Sequence, residues 1–224
     1  NEFFIISLSE LGAPGSCSPS TTNLNNSFPK YSIEDMVNFQ NKFLKDKFGI
    51  THVRGIIGNS MGGFVALTCA VLYPDYADFI ISGASGYKVA GRNYILSKLV
   101  DEIISTDGDY DSGKNTSSLV RTLRLATQAV YSFGISKEAL HKIPNSQLDV
   151  EFDEFGDEGL LDSIFDVKYC NDATLDYDIE KDLNKIRSKV LIIGINQDQY
   201  FPPNLDAIPM HNLIEDSELI IYDS

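Results

Sequence analysis

The sequence predicts an α/β fold: a doubly wound, mostly parallel sheet carrying a helical lid insertion. Three observations support this. Five apolar runs, at residues 3–8, 53–58, 79–82, 190–195 and 218–222, have strand length. They are continuous rather than alternating, as parallel strands covered on both faces are. Segments with helical spacing separate the first three runs, which makes βαβ units. Roughly a hundred residues then precede the fourth run, too many for a structureless connection in a compact domain.

Each element has a local reason. In residues 33–48, Met36, Phe39, Phe43 and Leu44 recur at helical spacing. Ser32 with Asp35 resembles a capping box, and Gly49 supplies the stop. Residues 61–73 form an apolar helix that must end before Pro74. Inside the long interval, 94–104, 118–131 and 136–142 read as helices. Residues 1–90 and 179–224 are therefore the expected core, with 91–178 as the lid. Its second half gathers Asp149, Glu151, Asp153, Glu154, Asp157, Glu158 and Asp162. These read as a solvated acidic face. The spacing fails a calcium loop, because no Gly at loop position six is followed by a Glu at twelve. No metal is expected.

Composition excludes several roles. Of the 224 residues, 43% are hydrophobic and 22% charged, enough to bury a core. Asp and Glu number 32 against 18 Lys and Arg, a formal net charge of −14. A basic face for nucleic acid or for anionic lipid is absent. No apolar run approaches the roughly 18 residues of a membrane span. Cys17, Cys69 and Cys170 make no disulfide framework, which fits a reduced, cytoplasmic setting. The sequence opens without Met in one apolar run and stops just after another, so it reads as a core cut at both ends.

The chemistry concentrates in Gly58-Asn59-Ser60-Met61-Gly62-Gly63. This is a Gly-x-Ser-x-Gly nucleophile elbow with a strand before it and a helix after it. The expected turn is too tight for side chains at Gly58 and Gly62. Ser60 is the expected nucleophile, and the Met61 amide one donor of an oxyanion hole. A serine needs a base, and the base an acid. Asp198 follows the run at 190–195, where the acid of such a triad belongs. His52 precedes the elbow strand, His141 closes a lid helix, and His211 lies before the last run. None follows the last run, where the base belongs. The base is thus expected beyond Ser224, and a second oxyanion donor before Asn1. The 224 residues alone are expected to be inactive.

With these residues in place, the chain resembles the homoserine O-acetyltransferase branch of the α/β-hydrolase superfamily. The likeness rests on Phe4-Ile5-Ile6 followed by Leu11-Gly12, Gly15-Ser16 and Pro19-Ser20. It rests also on Ile33 to Val37, the elbow, Tyr73-Pro74-Asp75, and Ser136 to Leu140. Asp198 with Phe201-Pro202-Pro203 matches an Asp-x-x-Phe-Pro-Pro motif. The resemblance implies acetyl transfer from acetyl-CoA to a hydroxyl acceptor through an acyl-serine, with acetyl-CoA as co-substrate and no bound cofactor. Small molecules would be its only substrates, and a homodimer is left open. The family's lid carries an Arg and a Tyr for the amino-acid acceptor. Aligned through 136–140, those positions hold Thr127 and Gly134. Arg124 and Tyr131 are then the nearest candidates for substrate binding. The resemblance thus supports acyl-serine chemistry better than it supports homoserine, and a serine hydrolase or an inactive member are the alternatives.

Overall fold

Ser32 opens helix α1 (Ile33–Phe48). Its hydroxyl accepts from the Asp35 amide while the Asp35 carboxylate accepts from the Ser32 N–H, completing the capping box. Gly49 ends the helix at φ 68°, a conformation that disfavours any side chain, and its N–H reaches the carbonyls of Leu44 and Lys45. This computed structural model describes residues 3–223. Next come β1 (Val53–Asn59), α2 (Met61–Leu72) and β2 (Ala77–Gly83). Five helices then intervene: α3 (Gly91–Ser105), α4 (Ser117–Gly134), α5 (Lys137–Leu140), α6 (Asn145–Glu158) and α7 (Ile164–Leu175). A 3-10 turn at Glu180–Lys185 returns the chain to β3 (Lys189–Ile195), α8 (Ala207–Leu213) and β4 (Ser217–Tyr222).

The strands form one parallel sheet in the order β1-β2-β3-β4. Register sets Ile80 between Ile56 and Val190, and Ile192 beside Leu219. Burial is one-sided, whereas the apolar strands predicted cover on both faces. Ile80, Ser82, Val190 and Ile192 are buried beneath α2, α8 and the 3-10 turn. Ile57 and Phe79, on the other face, stay 78% and 38% exposed. The strand order supplies the reason. Right-handed crossovers between successive neighbours put every connection on the same side.

Of the five expected strands, the first is a correction. Residues 3–8 run without regular structure. They pair with no strand, and a groove of about 840 Å³ lies between them and the edge of β1. An apolar run becomes a strand only when a ladder partner satisfies its backbone, and here none is adjacent.

The helical segment is pinned at its base. Lys88 and Asp178 form an antiparallel bridge, flanked by Val89 N–H to Tyr177 O and Ile179 N–H to Tyr87 O. The chain therefore enters and leaves at one place. The segment has its own core, with Val100 and Ile104 of α3, Leu119 and Leu123 of α4, and Ile164 and Phe165 of α7. Its acid-rich stretch is a helix, α6, packed along α4. Among the described residues, no helix is long and apolar enough to cross a membrane.

Candidate active site

Ser60 sits between β1 and α2 with φ 52° and ψ −121°, a backbone that an L-residue adopts only when its surroundings enforce it. Its N–H donates to Gly83 O of β2, and its carbonyl accepts from Gly63 N–H. The glycines divide the work differently from the sequence expectation. A Cβ on Gly58 would lie 2.0 Å from Gly62 O, so that position must be glycine. A Cβ on Gly62 would meet nothing within 4 Å. Gly63 carries the second constraint, because a Cβ there would lie 2.4 Å from Ser85 Oγ, against the β2 side of the helix. The Met61 N–H is in the first turn of α2, where amides have no intrahelical acceptor, and points its dipole's positive end at the Ser60 side.

Ser60 and Asp198 line one cavity of about 270 Å³, with Ala84, Phe133, Gln197 and Tyr200 among its walls. Ala84 is itself held at φ 41°, so backbone strain gathers at this site. Asp198 lies in the loop after β3. Its Oδ1 accepts from the amides of Tyr200 and Phe201 at 2.8 and 2.9 Å, which fixes the carboxylate's direction. Gln199 Nε2 donates to Ile135 O at 2.6 Å, tying this loop to the end of α4. A second cavity of about 480 Å³ opens on the other side of Ser60, lined by Glu10 and Leu11, Met61, and residues of α3, α4 and α7. Cys170 of α7 donates to Met61 Sδ at 3.4 Å, and burial pushes its thiol up to about 12.

None of the three histidines lines either cavity. His52 Nδ1 contacts Asp75 O at the opening of β1, and His211 Nδ1 contacts Ser217 Oγ at 2.8 Å. His141 is the exposed C-cap of α5. The carboxyl end of β4 does approach the site: Asn196, two residues before Asp198, bonds the backbone of Tyr222 and the side chain of Asp223.

Arg124 and Tyr131, the two residues expected to bind substrate, are placed elsewhere. Arg124 Nε and Nη2 donate to Asp157 and Asp153 of α6, both at 2.8 Å. Tyr131 is buried, its hydroxyl donating to Glu151 at 2.7 Å, and burial followed by that carboxylate pushes it up to about 12. Neither side chain lines a cavity at Ser60. The reason is competition: the acid-rich helix, read in the sequence as solvated, collects both groups. Gly134 does reach the smaller cavity.

Two carboxylates not singled out in the sequence belong to the neighbourhood. Asp206, before α8, is pushed up to about 7, chiefly by burial and next by the charge of Asp198, with Lys88 opposing. The Glu10 carboxylate accepts no hydrogen bond from the described residues, and burial raises it. Its only sequence signal is its place immediately before the Leu11-Gly12 loop.

Comparison with known proteins agrees with the fold. The family described as alpha/beta hydrolase fold matches residues 1–224. A probable acyltransferase of Methanothermobacter thermautotrophicus is 45% identical over 222 residues, covering 99% of this chain and 69% of that protein. A homoserine O-succinyltransferase of Paraburkholderia xenovorans is 28% identical over 216 residues, covering 91% of this chain and 55% of that protein. The chain thus spans little more than half of that relative's length. Among solved structures, the acetyl esterase MekB superposes with a TM-score of 0.87 at 22% identity, covering 96% of this chain and 68% of that one.

Proposed function

We propose, for a chain that belongs to the α/β-hydrolase fold family and to its homoserine O-acyltransferase-like branch, acyl transfer through an acyl-enzyme on Ser60. The observation that carries this reading is the strained Ser60 at a strand–helix elbow, opening on a cavity that Asp198 also lines. In the first half-reaction Ser60 Oγ attacks the acyl carbonyl of a thioester such as acetyl-CoA. Its proton passes to a base, the tetrahedral oxyanion is held by the Met61 amide, and the thiol leaves with that proton. In the second, an acceptor hydroxyl gives its proton to the base and attacks the acyl-serine; the bond to Ser60 Oγ breaks, Ser60 takes the proton back from the base, and the ester departs. Asp198 acts by orienting the base and supporting its charge. An imidazole serving both Ser60 and Asp198 would enter from the carboxyl end of β4, which already abuts the Asp198 loop.

Ester hydrolysis is the second reading. It is favoured by the exposure of Ser60, which leaves water free access, and by the absence of a Lys, Arg or His in the linings of both cavities. A carboxylate-bearing acceptor such as homoserine finds no paired cation there. One experiment separates the two. The intact protein is given acetyl-CoA with and without homoserine, serine or neutral alcohols, and thiol release and ester product are both followed. Ester product that scales with acceptor supports transfer; thiol release with acetate alone supports hydrolysis. Retention of turnover by Ser60→Ala would refute both.

A further inference from the structure

We propose that the larger cavity beside Ser60 receives an uncharged, monocarboxylic acyl chain, and that Glu10 is the specificity residue that turns away acyl groups ending in a carboxylate. The proposal rests on the acyl-serine reading of Ser60. Two spaces meet at that serine, and they are not equivalent. The smaller contains Asp198, so the base that links Asp198 to Ser60 must occupy it. The acyl tail is left with the larger one.

That larger space has apolar walls: Leu96 and Val100 of α3, Val130 of α4, Val167 of α7, and Leu11. Most of its polar side chains are engaged by backbone carbonyls or by neighbours outside the lining. The Asn171 amide donates to Ser97 O at 2.9 Å, and the Thr174 hydroxyl donates to Asn171 O at 2.8 Å. Asp166 accepts from Ser18 Oγ, Ser20 Oγ and the Ser20 amide. What stays open to a ligand is acidic. Asp162 stands exposed, and the Glu10 carboxylate, in the lining, accepts no hydrogen bond from the described residues. No Lys, Arg or His is in the lining. Lys168, a buried cation of α7, is held by Asp101 and Asp172, each at 2.7 Å. A terminal carboxylate entering here would lose its hydration, gain no cation, and meet Glu10. A methyl-terminated chain would lie against the apolar walls and bring no charge to Glu10, and a shape of this size suits a short chain.

The test compares butyryl-CoA with succinyl-CoA, donors of equal carbon count that differ in the terminal carboxylate. Thiol release by the intact protein is measured after subtracting the Ser60→Ala background. The expected preference in kcat/KM is about 100-fold or more for butyryl, since an unpaired charge is costly to enclose. Glu10→Asp, which keeps the charge, should retain the preference; Glu10→Gln should lower it at least about tenfold, and Glu10→Arg further. A preference below about tenfold in the unaltered protein, or one unchanged in a folded Glu10→Gln, overturns the proposal. Covalent labelling by an active-site serine reagent checks the underlying reading separately. Labelling at Ser60 with no Glu10 effect refutes the specificity alone, whereas no labelling at Ser60 refutes the nucleophile.

Discussion

The sheet edge and the helical insertion meet at Ser60 but are built on opposite principles. At the edge, backbone does the work. Ser60 and Ala84 are held at positive φ, Gly58 and Gly63 admit contacts that a side chain would block, and backbone amides aim Asp198. In the insertion, side chains do the work, and they do it for one another. Arg124 is clamped by Asp153 and Asp157, Lys168 by Asp101 and Asp172, and a separate apolar core holds α3, α4 and α7 together. Reactive geometry comes from the first region, while the second contributes walls and withholds its cations.

The sharpest break would come at the edge. In the intact protein, Ser60→Ala should abolish labelling by an active-site serine reagent as well as turnover. Asp198→Asn should preserve the labelled site but lower kcat by about 10⁴-fold, the scale seen when a triad acid is lost. Steady-state kinetics showing full activity in Asp198→Asn would remove Asp198 from the mechanism.

The glycines give a finer contrast. Gly58→Ala forces a Cβ to 2.0 Å from the Gly62 carbonyl and should destabilise by about 1–3 kcal/mol. Gly62→Ala, with open space at that position in a helix, should be neutral or stabilise by up to about 1 kcal/mol. Urea denaturation of both variants decides it. Equal losses would mean that the elbow is not packed as described.

Asp206 tests the coupling of the edge to pH. Its folded pKa, about 7, lies above the ordinary carboxylate range. The folded state then binds more protons than the unfolded state between about pH 4 and 7, so this group's contribution to stability falls as pH rises through that window. Asp206→Asn should remove that slope and leave the variant relatively more stable above pH 7. Thermal melts at pH 5 and pH 8 measure it; an unchanged slope would place the titration elsewhere.

The smallest effect is expected in the insertion. Arg124→Ala removes an exposed pairing with Asp153 and Asp157 and touches neither cavity. It should change kcat/KM by less than about twofold, as loss of a solvent-screened pair does. A collapse of activity toward homoserine alone would show that Arg124 turns inward when acceptor binds, and would erase the contrast between the two regions.

Local chemistry settled much of this protein in advance. Ser32, Asp35 and Gly49 bound α1 by contacts within a few residues, so its limits are written in the sequence. The elbow is legible for the same reason, since Gly58, Ser60 and the strand and helix around them are contiguous. So is the helical character of the insertion. What only the tertiary structure decided depends on partners distant in sequence. Residues 3–8 have strand composition, yet a strand exists only beside another, and the neighbouring space is a groove. Arg124 and Tyr131 lie on the expected helix, but α6 packs against α4 and takes both their polar groups. Burial raises the pKa of Glu10 and of Asp206, which no spacing of residues announces. A cap or a tight turn closes over three or four residues, whereas the direction of a long side chain is set by whichever opposite charge the fold brings nearest.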